Sequence, residues 1–192
     1  MILGNYPEQT EGFRQLANDL PEGWRNDMKN IAQPLDFHGL NIYRGKLIRD
    51  GEHGPEVVAK ATGFPKTALN WAITPDSLYW GPKFVYERYG LPIIITENGM
   101  SCHDAVSLDG KVHDPNRIDY THRYLLALKQ AADDGADIQG YMHWSLLDNF
   151  EWAEGYNERF GLVYINFETG QRIKKDSFEW YKNVIKTNGE TL

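Results

Sequence analysis

The stretch Leu91-Pro92-Ile93-Ile94-Ile95-Thr96-Glu97 decides the fold, and Asn98-Gly99 follows it at once. Ile93, Ile94 and Ile95 are β-branched, with no polar residue between them. A strand wetted on one face alternates apolar and polar residues, whereas a strand covered on both faces reads as an unbroken apolar run. Such strands belong to parallel sheets with helices packed on them. Asp36-Phe37-His38-Gly39-Leu40-Asn41-Ile42-Tyr43 and Ile138-Gln139-Gly140-Tyr141-Met142-His143-Trp144 read as two more strands of the same kind.

Helical segments lie between them. Thr74-Pro75-Asp76 reads as an N-cap with Pro at the first helical position, and the helix runs through Trp80, Phe84 and Arg88 to Gly90. Asp114-Pro115 repeats that opening. Ile118, Thr121, Leu125, Leu128 and Ala132 then share one helical face, and Gly135 closes the helix. A last helix is expected over 176–186, with Phe178, Tyr181, Val184 and Ile185 as its apolar stripe. Shorter helices are expected over 13–20 and 25–32. Residues 46–60, with Asp50-Gly51 inside, and 161–172, turning at Thr169-Gly170, read as hairpins.

Strand–helix alternation means an α/β fold with parallel strands. Glu97 lies 54 residues after Tyr43, and Trp144 lies 47 after Glu97. Units this long imply large loops after the strands, and eight of them would need about 400 residues, within the range of a (β/α)₈ barrel. Three strands fit either a small α/β domain or the later part of such a barrel. No repeat or low-complexity linker divides the chain, so 1–192 is expected to form a single domain.

The 192 residues are 41% apolar and 24% charged, which suits a globular protein and excludes a collagenous or mostly disordered one. Twenty basic against 27 acidic residues give a net charge of −7. That balance argues against nucleic acid and against an anionic membrane surface as partners. Cys102 is the only cysteine, which excludes an intramolecular disulfide and a multi-Cys zinc site. Met1-Ile2-Leu3-Gly4-Asn5-Tyr6-Pro7 does not read as a signal peptide, and no apolar stretch is long enough to span a bilayer. A cytoplasmic location is the expectation.

Asn41 and Tyr43, Glu97 and Asn98, and Trp144 all fall at the C-terminal ends of the expected strands. Active sites of parallel α/β proteins lie at that end of the sheet. A carboxylate closing a buried strand is held rigidly, as catalysis requires; the competing reading is a turn whose Glu97 points to solvent. Trp144-Ser145-Leu146-Leu147-Asp148-Asn149-Phe150-Glu151-Trp152 is the second constellation. An indole offers a flat face to the C–H side of a pyranose, and Asp, Asn and Glu offer acceptors to its hydroxyls. The competing reading is a buried aromatic loop with Glu151 capping a helix. The six His residues lack metal-ligand spacing, and no phosphate-binding loop or nucleophile elbow occurs. His103, Glu154 and Glu158 are weaker candidates.

These motifs together resemble family 1 of the glycoside hydrolases, the β-glucosidases and related β-glycosidases. Ile95-Thr96-Glu97-Asn98-Gly99 is similar to the family's nucleophile motif. Trp144 through Trp152, continuing to Ala153-Glu154-Gly155-Tyr156 and Arg159-Phe160-Gly161-Leu162-Val163, is similar to its sugar-binding loop. Phe37-His38-Gly39-Leu40-Asn41-Ile42-Tyr43 resembles its sixth strand and Lys175-Asp176-Ser177-Phe178-Glu179-Trp180-Tyr181 its final helix. The resemblance implies the C-terminal portion, about strands six to eight, of a TIM (β/α)₈ barrel. It implies a retaining β-glycosidase acting on terminal β-linked glucosyl or galactosyl residues, with no cofactor and no metal. Glu97 would be the nucleophile and Tyr43 its hydrogen-bond donor. Asn41, Trp144, Glu151, Trp152 and Phe160 would line the sugar site. The family's acid/base Glu stands in an Asn-Glu-Pro motif after the fourth strand, and no Asn-Glu-Pro occurs in this chain. Activity therefore implies an N-terminal barrel portion as partner. Competing expectations are a non-catalytic carbohydrate-binding chain and a barrel fragment that self-associates through open edges.

Overall fold

The computed structural model describes residues 2–4, 6, 10–16 and 19–192. Met1, Asn5 and Pro7 of the opening stretch, and residues 17 and 18 of the expected helix over 13–20, lie outside the described residues. Two short helices come first, α1 (Glu11–Leu16) and α2 (Trp24–Ile31). Then follow β1 (His38–Asn41), the hairpin β2 (Ile48–Gly51) and β3 (Gly54–Val57), α3 (Ser77–Tyr89), β4 (Ile93–Asn98), α4 (Pro115–Asp133) and β5 (Ile138–His143). A second hairpin, β6 (Val163–Ile165) and β7 (Arg172–Lys174), leads into α5 (Asp176–Lys186).

β1, β4 and β5 form one parallel sheet with β4 in the middle. Ile93 and Ile95 are fully buried because β4 has a strand on each side and helices behind it. They pack with Leu78 of α3, Tyr120, Tyr124, Leu125 and Leu128 of α4, and Val184 of α5. Each such side chain withdrawn from water contributes about 1.5–3 kcal/mol before entropy is charged.

Several expected boundaries move. α3 begins at Ser77 rather than at Pro75, because the Thr74 hydroxyl accepts the Gly45 backbone N–H at 2.9 Å instead of capping the helix. The inward face of α4 is wider than the expected stripe: Arg117, Tyr120, Tyr124 and Ala131 are buried with Thr121, Leu125 and Leu128, while Ala132 is exposed. The hairpin expected within 46–60 forms, and because Gly51 pairs with Gly54 it turns at Glu52-His53, just after Asp50-Gly51. α5 has the expected bounds, but only Val184 of its stripe is buried.

The reason for that last difference lies at the two edges. Among the described residues β1 and β5 each pair on one side only. Beside β1, a groove of about 620 Å³ is lined by Ile42, Phe64, Ile73, Trp80 and Phe84. Beside β5, a groove of about 320 Å³ is lined by His143, Leu146, Leu162, Phe178, Tyr181 and Ile185. Trp80 is 47% exposed, Phe84 59% and Ile185 63%. These apolar faces are those of a sheet that has not closed on itself.

His143 sits beside the second groove with its Nε2 inaccessible and unpartnered. Burial, and then the charges of Arg117 and Lys175, push its pKa down to about 3. The unfolded chain takes this proton near pH 6.5. The folded state therefore keeps its full stability above that pH and loses it as pH falls toward 3, by about 2 kcal/mol at pH 5 from this group. Urea titrations at pH 7 and pH 5 measure the loss. His143→Gln is expected to flatten it, and equal slopes in the two proteins would overturn the assignment.

Candidate active site

β4 carries Glu97 to the C-terminal end of the sheet, directly opposite Asn41 of β1. The ladder shifts by one residue between Leu40 and Asn41, which brings Asn41 level with Glu97. Asn41 Oδ1 accepts the Thr96 hydroxyl at 2.6 Å. Tyr43 follows β1, and its phenol donates to Glu97 Oε2 at 2.8 Å. Burial, then the hydrogen bond to Glu97 and the charges of Glu97 and Glu151, hold the Tyr43 phenol far above its ordinary pKa. Tyr43 therefore remains a proton-bearing donor aimed at a carboxylate.

Trp144 follows β5, and its backbone N–H donates to the Asn98 carbonyl at 2.8 Å. The approach is so close that a Cβ on Gly99 would lie 1.8 Å from the Trp144 carbonyl oxygen. Glu97-Asn98-Gly99 thus requires its glycine because the third strand end passes over it. Glu151 is half-buried. Burial raises its pKa, a hydrogen bond from the Trp144 side chain lowers it, and the charges of Glu97, Glu158 and Glu154 raise it again. Phe160 is buried at 2% exposure and stands edge-on to Tyr43, with centroids 6.1 Å apart.

Tyr43, Glu97, Trp144, Glu151 and Phe160 are therefore neighbours around one strand-end site. Trp152 differs: it is 81% exposed and opens a 3₁₀ turn (Trp152–Glu154) at the rim. His103 is exposed, in a separate groove with Lys66, Ser101 and His113. Glu154 is exposed, but Glu158 is half-buried with an inaccessible Oε2 and feels Glu151.

Sequence reasoning missed Trp71. Its ring meets Tyr43 edge-on at 5.3 Å and Phe160 at 6.2 Å, completing an aromatic wall beside Glu97. The Arg44 guanidinium lies over the Trp71 ring, 5.1 Å from its centroid. Its loop is tied to the stretch after β4, where the Ser101 hydroxyl accepts the Leu69 N–H at 3.0 Å. Asn70-Trp71-Ala72 carries no motif, so only the folded loop reveals it.

Sequence reasoning also missed the brace behind the loop that bears Glu151. Asp148, with a fully buried side chain, accepts from Lys175 at 2.9 Å, Arg159 at 2.7 Å and the Gly161 N–H at 2.9 Å. Lys175 also meets Asp104, at 2.5 Å, and Arg117 bridges Asp104 and Asp114. Three carboxylates and three cations thus pin both ends of the 148–161 loop to α4 and α5. Among the described residues no cluster of His, Cys, Asp or Glu could hold a metal ion, and no helix is long and apolar enough to cross a membrane.

A parallel strand trio with helices behind, and carboxylates and indoles gathered at the C-terminal strand ends, defines part of a TIM-barrel glycoside hydrolase. The chain belongs to glycosyl hydrolase family 1, whose model matches residues 1–190. It is 47% identical over 188 residues to β-glucosidase A of Thermotoga maritima, covering 97% of this chain and 42% of the relative. A bifunctional β-D-glucosidase/β-D-fucosidase of Bifidobacterium breve is 39% identical over 204 residues, 96% of this chain and 44% of the relative. The solved β-glucosidase of Thermotoga maritima in complex with glucoimidazole superposes with a TM-score of 0.86 at 46% identity, covering 98% of this chain and 42% of that one. The chain thus spans under half the length of the relatives it matches, and it corresponds to the C-terminal, three-stranded part of their barrel.

Proposed function

We propose that residues 1–192 act as one partial barrel domain carrying the nucleophile side of a retaining β-glycosidase site. Glu97 attacks the anomeric carbon of a terminal β-glucosyl or β-galactosyl residue. An ester bond to Glu97 forms as the glycosidic C–O bond breaks, and water later hydrolyses that ester. Tyr43 holds the Glu97 carboxylate for in-line attack. Trp144 forms the stacking floor, Glu151 accepts sugar hydroxyls, Asn41, Trp152 and Phe160 line the rest, and Trp71 walls the side toward the leaving group. The observation that carries this reading is the Tyr43–Glu97 hydrogen bond at the end of β4, beside Trp144 and Glu151.

The leaving oxygen needs a proton. Retaining glycosidases place a second carboxyl roughly 5–5.5 Å from the first, and its loss costs about 10²–10⁴-fold. Glu151 is not assigned that role, because the family resemblance places it against the sugar's outer hydroxyls, away from the glycosidic oxygen. The acid/base is assigned to a partner portion of five βα units bearing an Asn-Glu-Pro motif, which would also cover the two apolar grooves. Copies of this chain do not substitute: each brings three strands, and no multiple of three closes an eight-stranded barrel. The lone Cys102 suits a reducing compartment, and the cytoplasm is the proposed location.

Mixing this chain with such a five-unit portion tests the reading. Nitrophenyl β-glucoside cleavage is expected in the mixture and in neither part alone. A folded, bound and inactive mixture overturns it. Glucose binding by this chain alone, seen by calorimetry, would then favour a carbohydrate-binding chain without turnover, and concentration-dependent sedimentation would favour self-association.

A further inference from the structure

Tyr43 stands just beyond the last rung of the ladder, where Ile42 N–H donates to the Glu97 carbonyl at 2.9 Å. Its own carbonyl has left the sheet and has no strand partner. Two phenols reach it instead: Tyr120 Oη donates at 3.0 Å and Tyr124 Oη at 3.1 Å, both from α4. Each phenol oxygen in turn receives a donor. Asn98 Nδ2 donates to Tyr120 at 3.2 Å, and the Thr74 N–H donates to Tyr124 at 2.8 Å. The two rings are stacked, with centroids 3.9 Å apart, and are almost wholly buried.

Asn98, the neighbour of Glu97, is the hub behind this grip. It is fully buried, and its remaining side-chain capacity goes to the Ile42 carbonyl at 2.8 Å and to the Tyr141 hydroxyl, also at 2.8 Å. Phenylalanine at 120 and 124 would fill the same core volume without the cost of burying two hydroxyls. What the hydroxyls add is direction: two donors on one carbonyl fix the peptide plane of Tyr43, and that plane sets where its phenol points.

We propose that Tyr120 and Tyr124 are positioning residues for the Tyr43–Glu97 pair, acting on the Tyr43 carbonyl from behind the sheet. The assignment rests on the catalytic reading of Glu97 for its effect on turnover, though not for its effect on Tyr43 itself. Neither phenol lies among the groups assigned to the sugar, so kcat should respond and KM should not.

The test uses Tyr120→Phe, Tyr124→Phe and the double variant, with Tyr79→Phe as the control that removes a surface phenol bonded to Asp134. In the mixture with the five-unit portion, the double variant is expected to lose roughly 10- to 100-fold in kcat. KM should stay within about threefold, a change worth less than 1 kcal/mol of binding. Each single variant should lose less, since one donor remains, and Tyr79→Phe should match the parent. A double variant with unchanged kcat overturns the proposal. The second readout needs no turnover: in this chain alone, proton NMR follows the Tyr43 hydroxyl resonance, identified by its loss in Tyr43→Phe. That resonance should shift and exchange faster in the double variant. An unchanged resonance overturns the proposal, whereas an inactive parental mixture overturns the glycosidase reading and leaves the NMR arm to decide this one.

Discussion

Glu97→Gln, assayed in the mixture with a five-unit barrel portion, is expected to lose on the order of 10⁴-fold or more in turnover of a nitrophenyl β-glucoside, the scale on which removal of a covalent nucleophile acts. The substitution keeps size and shape. The amide oxygen can still accept the Tyr43 phenol now bonded at 2.8 Å, so the strand end need not rearrange. What disappears is the negative charge that, in the proposed mechanism, attacks the anomeric carbon and then leaves it. The effect should fall on kcat, with the thermal midpoint of the chain unchanged. Mass spectrometry with a slowly hydrolysed fluoro-sugar should find a glycosyl adduct on Glu97 in the parent and none in the variant. A loss smaller than about tenfold would show that some other group carries the chemistry.

The sheet could be read from the chain because its signal is local. Three consecutive isoleucines called for cover on both faces; Ile93 and Ile95, which share one face, are fully buried, whereas Ile94 on the other face is only half-buried. The bounds of α5 came equally from local pattern. The start of α3 was misplaced because Thr74 looks like a cap from its neighbours alone, whereas its hydroxyl goes to Gly45, 29 positions earlier. Glu97, Tyr43 and Trp144 were legible as strand-end residues, since a strand's direction fixes which end bears the site. Trp71 was not, because nothing in its own stretch says that a loop tied to Ser101 will bring it against Tyr43. Tyr120 and Tyr124 looked like ordinary core aromatics; their function in the fold lies in hydroxyls whose partners stand 77 and 81 positions away.

The buried charges were the least legible feature and carry the second large prediction. Asp104, Asp114, Arg117, Asp148, Arg159 and Lys175 have the spacing of ordinary solvated residues. Yet the Asp114, Arg117, Asp148 and Lys175 side chains are completely buried, and Asp104 is 3% exposed. Removing one member leaves charge without partner in a poor solvent for it. Asp148→Asn, which strips the shared partner from Lys175 and Arg159, is expected to cost about 3–5 kcal/mol. For a chain of this size that lowers the thermal midpoint by roughly 6–20 °C. Lys175→Met should cost a similar amount, because Asp104 and Asp148 then face each other with less compensation.

The double variant, Asp148→Asn with Lys175→Met, should cost less than the two single losses added together, with a coupling on the order of 2–3 kcal/mol, since it removes the stranded charge as well as its partner. Urea titration followed by tryptophan fluorescence measures all three. Simple additivity would mean that the two side chains do not stabilise one another. The consequence for the site follows from the same geometry. Asp148 also accepts the Gly161 N–H and so closes the loop on which Glu151 and Phe160 stand. Asp148→Asn should therefore raise KM for the sugar in the mixture even at temperatures where the chain stays folded. If the brace holds Glu151 in register with Glu97, as the proposed function requires, the stability loss and the KM rise should appear together in Asp148→Asn.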